Sequence, residues 1–224
     1  MSAMAVVSPL TELVRKVQGG QAIVLTGVSW DVYQILLKTL FEEHLHARTT
    51  YDRGRFEVMP TSRLHEIIKS LLARMLEAWA DALNIPYNFG GEMSCEREDL
   101  QCGLQPDECY WIRNAARVSG KTELDFTVDP PPDLVLEVEI SHSVLSRFPI
   151  LAQLGVPEVW RCNGKTLQIG LLQAEGDYLW GETSVNLPGL PIAELNRYLQ
   201  QIGTLDHAII IRNFRAWLQN RPAN

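Results

Sequence analysis

The segment Pro132–Ile140 constrains the fold of this chain most, because it has the pattern of a buried β-strand and yet carries two carboxylates. Side chains alternate along a strand, so the apolar even-numbered residues are expected on one face and Glu137 and Glu139 together on the other. Neighbouring positions on one face lie roughly 6–7 Å apart, within reach of a single cation. An ionised carboxylate is costly to bury unless it is paired, hydrogen-bonded or metal-bound. The segment therefore predicts a functional site as well as a strand.

The composition is that of one globular domain with a sizeable core. The chain has 224 residues, 46% of them hydrophobic and 21% charged. No apolar run approaches the ~20 residues of a membrane span. The start, Met1–Leu10, lacks the basic end and apolar centre of a signal peptide, so a cytoplasmic protein without a membrane partner is expected.

Charge and cysteine content narrow the classes of partner. The net charge of −7 argues against strong non-specific binding of nucleic acid, although a local basic groove or bound divalent cations would be compatible with it. The four cysteines are spaced too widely for a CxxC metal pair. We expect them to be buried, reduced packing residues.

Helical and strand periodicities alternate along the chain. Apolar residues recur at helical spacing over 63–82, which predicts the longest helix. A hairpin is predicted around Asp52-Arg53-Gly54, and a second around Asn163-Gly164. The other predicted elements are an edge strand at 22–25, a helix at 30–43, strands at 106–112, 134–140 and 178–180, a helical segment from Ser141 to Leu154, and helices at 192–201 and 205–218.

This order predicts an α/β fold, with a mixed central sheet flanked by helices. We expect a single domain over residues 1–224, with a core at about 46–182 and a C-terminal helical extension at about 190–220. Asp107, on the strand before Glu137, is the best partner for that acid. Asp133 is a weaker partner, because four residues along one strand separate two side chains by ~13 Å.

Four ordered segments resemble the signatures of the Uma2 family, restriction-endonuclease-like proteins of the PD-(D/E)XK nuclease superfamily. They are Tyr51–Glu66, Pro106–Glu108, Pro132–Val138 and Gly155–Trp160. Together the segments are specific, and the resemblance spans about residues 20–185. It implies a restriction-endonuclease-like core sheet that holds a divalent metal.

The resemblance also implies roles for individual acids. Asp107 and Glu137 correspond to the metal-binding acids, and Glu57 or Glu66 to an additional acid near the first core helix. Mg²⁺ or Mn²⁺ on Asp107 and Glu137 would polarise a phosphate and activate a water molecule.

A positive charge near the metal is the remaining part of the implied site. The superfamily lysine is replaced, because Glu139 stands two residues after Glu137. The following helix offers Arg147, which cannot deprotonate to act as a base. Arg147 or Lys69 is expected to offset charge in the transition state, Glu139 to complete the ligands or orient the water, and His65 to be an accessory residue.

Two functions follow, and a third interpretation assigns none. The first is a metal-dependent endonuclease hydrolysing DNA, a homodimer because two-fold protein symmetry matches two-fold DNA. The alternative is a catalytically impaired, nuclease-like module that binds nucleic acid or protein, in which Arg147 only pairs with a carboxylate. In the third, a soluble scaffold, Glu137 and Glu139 face solvent on an edge strand, Asp107 is a turn residue and Glu57 is structural.

Overall fold

Seven helices are present in residues 3–221, the part of the chain that this computed structural model describes. They are α1 (Ala3–Lys16), α2 (Trp30–Glu42), α3 (Arg63–Ala82), α4 (Ala115–Val118), α5 (Phe148–Gln153), α6 (Ile192–Leu199) and α7 (His207–Asn220). The predicted long helix and the two C-terminal helices are confirmed. The N-terminal helix α1 was not predicted. No helix within residues 3–221 has the length and apolarity needed to cross a membrane.

Eleven strands in the described residues 3–221 form two sheets. They are β1 (Ile23–Thr26), β2 (Ala47–Asp52), β3 (Arg55–Pro60), β4 (Asn88–Phe89), β5 (Cys95–Arg97), β6 (Cys102–Leu104), β7 (Glu108–Trp111), β8 (Leu134–Val138), β9 (Glu158–Cys162), β10 (Leu167–Leu172) and β11 (Tyr178–Gly181). The five-stranded sheet has the order β1-β3-β2-β6-β5, and the six-stranded sheet the order β11-β10-β9-β8-β7-β4. Among these eleven strands, β8 and β9 are the one pair that runs parallel. The predicted α/β class with a mixed sheet is confirmed, with the strands divided between two sheets.

Helix α3 fixes several site residues on the six-stranded sheet. Its first turn is capped by Ser62, whose hydroxyl accepts a hydrogen bond from the His65 backbone N–H at 3.2 Å. Its apolar face, including Leu72 and Trp79, is buried against the six-stranded sheet together with α6 and α7. The start of α3 is therefore held firmly beside the ends of β7 and β8.

Strand β8 is central and shows the predicted alternation. Leu134, Leu136 and Val138 belong to the core on the α3 side, whereas Val135 belongs to the core on the opposite face. The strand is shorter than predicted, because its partner β9 ends at Cys162 before the Asn163-Gly164 turn. Glu139 lies one residue beyond β8, although its backbone N–H still donates to the Cys162 carbonyl oxygen at 2.7 Å, so the predicted strand 134–140 is too long at its C-terminal end.

The segment after β8 is a loop where the sequence predicted a helix. Only Phe148–Gln153 is helical, with Pro149 in the first turn and Arg147 as the preceding cap residue. The loop is held in another conformation by Glu57, whose Oε2 accepts hydrogen bonds from the backbone N–H groups of Val144 and Leu145 at 2.6 and 2.9 Å. Those N–H groups would otherwise be available to a helix.

Three clusters of buried apolar side chains lie between the helices and sheets of the described residues. The largest lies between α3, α6, α7 and one face of the six-stranded sheet. The second joins the other face of that sheet to α5 and to β5 and β6 of the five-stranded sheet. The third packs α1 and α2 on the five-stranded sheet. The two sheets therefore share an apolar layer, with β2 close to the start of β7 and the end of β8.

Truncation of Leu136 tests the central place of β8. Leu136 is fully buried, so Leu136→Ala should lower the free energy of unfolding by about 2–5 kcal/mol through lost burial and a cavity. The matched control is Leu179→Ala on β11, whose side chain is 64% exposed, where a change within about 0.5 kcal/mol is expected. Urea denaturation of both variants measures the difference, and equal losses would contradict the assignment of β8 as a central strand.

Candidate functional site

Asp107 and Glu137 lie side by side because β7 and β8 pair antiparallel. Glu108 is opposite Leu136, so Asp107, just before β7, comes next to Glu137. The Val138 backbone N–H donates to Asp107 Oδ2 at 2.6 Å, which fixes the carboxylate against β8. Both side chains are buried. We refer to Asp107 and Glu137 as the acidic pair.

The guanidinium of Arg48 bridges the acidic pair. From β2, its Nη2 donates to Glu137 Oε2 at 2.5 Å and its Nη1 to the carbonyl oxygen of Val138 at 3.1 Å. Its Nε lies 3.0 Å from Asp107 Oδ1 but makes no hydrogen bond, so this contact is an ion pair without aligned N–H geometry. Arg48 was not predicted from the sequence. Its one signal there is a charged residue two positions before Thr50, on a strand whose other central residues are buried.

Arg147 holds Glu137 from the other side. Its Nε donates to Oε2 and its Nη2 to Oε1, both at 2.9 Å, which is a bidentate pair. Its remaining donors reach the Thr50 hydroxyl at 2.7 Å and the carbonyl oxygens of Thr49 and Gln105. We call Arg48, Arg147 and the acidic pair the arginine–carboxylate network.

Helix α3 supplies a polar row beside Asp107. His65 Nε2 lies 3.0 Å from Asp107 Oδ2, and its Nδ1 lies 3.1 Å from Glu66 Oε1. Lys69 Nζ lies 2.7 Å from Glu66 Oε2 and also contacts Glu92. His65, Glu66 and Lys69, all three named as candidates in the sequence, thus form a chain of polar contacts leading away from Asp107.

Burial raises the pKa values of the two carboxyl groups of the acidic pair, and the nearby arginines lower them. Burial alone would raise the pKa of Asp107, but Arg48 and His65 outweigh it and lower that pKa to about 2. Burial raises the pKa of Glu137, and the attraction of Arg147 and Arg48 does not cancel this rise. Repulsion from Asp107 adds to it. Desolvation is therefore a larger cause of the raised pKa of Glu137 than the clustering of the two acids.

Glu57 and Glu139, assigned as candidate catalytic acids, have partners outside the network. Glu57 accepts hydrogen bonds from the Ser143 hydroxyl and from the loop backbone described above. Glu139 accepts a hydrogen bond from Arg161 Nε at 2.6 Å. Glu139 follows the last residue of β8, and its partner Arg161 is the β9 residue opposite Glu137. These contacts pair Glu57 and Glu139 with groups other than Arg48 and Arg147.

A cavity of about 280 Å³ opens beside the network. Among the residues that line it are His46, Arg48, Glu66, Glu92 and Asp107. Glu137 and Arg147 are not in its lining. We call it the site cavity; from it, Arg48 and Asp107 are the first members of the network that a small ligand would meet.

The positive and negative charges of the network are equal in number, which affects whether its carboxylates can bind a metal ion. Two guanidinium cations face two carboxylates, and each of the four carboxylate oxygens contacts a donor or a cation. In residues 3–221, no group of three or more His, Cys, Asp or Glu side chains is arranged to hold a metal ion. With Arg48 in place, Asp107 and Glu137 have no room for a divalent ion, because its guanidinium occupies the position between them.

Comparison with models of known protein families assigns the chain to a family. A family model described as "Uma2: Putative restriction endonuclease" matches residues 30–205, well over half of the sequence. The chain belongs to the Uma2 family. The matched region contains the whole arginine–carboxylate network and all four segments on which the resemblance rested, so the family assignment made from the sequence is confirmed.

Solved structures and curated proteins add little beyond the Uma2 assignment. The structure is similar to the "crystal structure of a putative nuclease belonging to DUF820 from Anabaena variabilis ATCC 29413", with 16% identity and a TM-score of 0.49. That alignment covers 67% of this chain and 90% of the other. A search of curated proteins gave no match.

Removal of Arg147 tests the structural role of the network. Arg147→Met would leave Glu137 buried with only Arg48 as a charged partner, so the free energy of unfolding should fall by about 3–5 kcal/mol. The matched control is Arg161→Met, whose partner Glu139 is part-exposed, where the loss should be under about 1 kcal/mol. Urea denaturation at neutral pH compares the variants. Similar losses would show that the buried Arg147–Glu137 pair stabilises the fold no more than the part-exposed Arg161–Glu139 pair does.

Acid titration tests the lowered pKa of Asp107. A carboxylate whose pKa is depressed on folding contributes stability that is present above its unfolded pKa of about 4 and lost as the pH falls through its folded pKa of about 2. The difference in free energy of unfolding between the parent and Asp107→Asn should therefore be largest above about pH 5 and shrink below about pH 4. Denaturant unfolding at several pH values gives this difference, and a constant value down to the lowest pH tested would contradict the prediction.

Proposed function

We propose that this Uma2 protein is an endonuclease that hydrolyses phosphodiester bonds of DNA with a divalent cation, Mg²⁺ or Mn²⁺, and that Asp107 and Glu137 are its acidic pair. One observation carries the proposal. The carboxylates of these two residues, brought together from neighbouring strands, both contact the single guanidinium of Arg48. Two carboxylates that reach one cation have the oxygen chemistry that Mg²⁺ and Mn²⁺ prefer.

DNA as the substrate rests on the family description and not on a basic surface. The chain carries a net charge of −7, so binding must depend on a local arrangement of cations. We also propose a homodimer, because cutting both strands of a duplex is matched by two-fold protein symmetry. Sedimentation equilibrium of the purified protein tests the homodimer, and a monomer at all concentrations would exclude it.

The residues around the pair have distinct proposed roles. Arg147 is fully buried and bidentate on Glu137, so we assign it as a positioning residue for that carboxylate. Lys69 lies closer to the site cavity through Glu66 and Glu92. Burial would lower the pKa of Lys69, but these two acids raise it to about 12, so it acts as a fixed positive charge and not as a base at neutral pH.

The second candidate function is a nuclease-fold module without catalytic turnover that binds nucleic acid or protein. The charge balance of the network supports it, because the guanidinium between the carboxylates already supplies the positive charge that a metal would bring. Arg147, at the place of a lysine, and Glu139, paired with Arg161, are also compatible with a centre kept for its structure.

A cleavage assay tests the first function. Plasmid and linear DNA are incubated with the purified protein in Mg²⁺ or Mn²⁺, and products are followed by gel electrophoresis. Asp107→Asn and Glu137→Gln should each lower the cleavage rate on the order of 10³-fold, since residues that act as a unit fail together. Asp177→Asn and Glu175→Gln, two exposed acids of one turn, are the matched controls and should cleave like the parent.

The outcomes separate the two candidates. Cleavage that survives both site variants would point to a contaminant or to another site. Absence of cleavage by the parent on every DNA form, together with a DNA complex in electrophoretic mobility shifts, would support the module. Absence of both cleavage and DNA binding would reject DNA as the ligand.

A further inference from the structure

The two arginines of the network are held to different degrees. Arg147 makes five hydrogen bonds, which use its Nε and both terminal nitrogens. Arg48 makes two, one to Glu137 and one to the carbonyl oxygen of Val138. Arg147 is therefore fixed by the surrounding backbone, whereas Arg48 is fixed mainly by charge.

Arg48 also carries an unsatisfied donor. Its Nε is buried and makes no hydrogen bond, although the Asp107 Oδ1 atom lies 3.0 Å away. A buried donor without an acceptor costs free energy. The bridging conformation of Arg48 is thus kept by the attraction of two carboxylates and not by a complete set of hydrogen bonds.

Arg48 lies beside open space. Arg48 and Asp107 both line the site cavity, and Arg147 does not. A long side chain on a fixed strand can redirect its charged end into such a space while its methylene groups stay packed. Departure of Arg48 would leave Glu137 with Arg147 and Asp107 with His65 and the Val138 N–H. The acidic pair would then carry an unbalanced negative charge, with Asp107 at the wall of the cavity.

We propose that Arg48 is an internal counter-cation that holds the place of a divalent ion between Asp107 and Glu137, and that an ion binds there only when the guanidinium has left. The inference rests on the acidic pair of the proposed function. Since only the fraction of molecules with Arg48 displaced can accept the ion, the apparent affinity of the parent is reduced by that fraction. The intrinsic affinity of the carboxylates is therefore hidden in the parent protein.

Removal of the guanidinium should expose that affinity. Arg48→Met keeps an apolar stem of similar reach and deletes the cation. Free Mn²⁺ is measured by its electron paramagnetic resonance signal during titration of each protein. We expect the dissociation constant for Mn²⁺ to be at least about tenfold lower in Arg48→Met than in the parent, a gain of about 1.4 kcal/mol or more. The gain should disappear when Asp107→Asn is added to Arg48→Met.

Two further variants keep the test decisive. Arg53→Met, an exposed arginine in the same hairpin, should bind Mn²⁺ like the parent. Arg48→Lys is included in case Arg48→Met does not fold, which circular dichroism will show. Its ammonium is a point charge that cannot bridge both carboxylates as a planar fork does, so a smaller gain in affinity is expected. Equal affinities in the parent, Arg48→Lys and every folded Arg48 variant would overturn the proposal.

The measurements separate this inference from the proposed function. Tighter Mn²⁺ binding by Arg48→Met, without DNA cleavage by the parent or the variant, would support the counter-cation and count against the endonuclease. Metal-dependent cleavage by the parent, with equal Mn²⁺ affinity in the parent and Arg48→Met, would support the endonuclease and overturn the counter-cation. A gain in affinity that persists after Asp107→Asn would show that the ion binds elsewhere and would overturn it too.

Discussion

The ion pairs of the arginine–carboxylate network join the two sheets of the molecule. Arg48 belongs to β2 of the five-stranded sheet, and Glu137 to β8 of the six-stranded sheet. Arg147, from the loop after β8, returns to the backbone of β2 through Thr49. Because each buried charge depends on another, loss of one member leaves its partner unpaired in a medium of low dielectric constant. The same contacts therefore fix both the relative position of the two sheets and the geometry of the acidic pair.

Several other buried acids in this chain tie backbone segments together. Asp133 accepts hydrogen bonds from the N–H groups of Ile112 and Asn114. Glu158 accepts them from Val185 and Asn186. Glu57 does the same for the loop after β8. Burial of an acid on a strand, or just before one, is thus a common way of anchoring the backbone here. What separates the acidic pair from these anchors is its pairing with arginines beside a cavity.

The sequence was most informative where periodicity and burial agree. The alternation in β8 and the apolar face of α3 both depend on local spacing, and both were predicted correctly. The predicted strand was too long because the end of β8 is set by the end of β9, which no local pattern in 132–140 contains. The predicted helix after β8 failed for a similar reason, since Glu57, more than eighty residues earlier, binds the loop backbone.

Arg48 shows the limit of inferring a site from its acids. Its role depends on β2 lying against β7 and β8 across two sheets, a contact between segments about ninety residues apart in sequence. A lone arginine on a short strand has many ordinary explanations. The acidic residues at the site, by contrast, stand in segments that match a family pattern, so Asp107 and Glu137 could be singled out from the amino-acid sequence alone.

Burial of the thiols gives each sheet its own chemical reporter. Cys102 on β6 and Cys162 on β9 are fully buried, and burial raises the pKa of both thiols to about 11. Alkylating reagents attack accessible thiolates, so neither cysteine reacts while its strand stays paired in the sheet and its thiol stays buried. The alkylation rate at Cys102 then measures opening of the five-stranded sheet, and that at Cys162 opening of the six-stranded sheet. Mass spectrometry of the native protein therefore distinguishes sheets that open together from sheets that open separately.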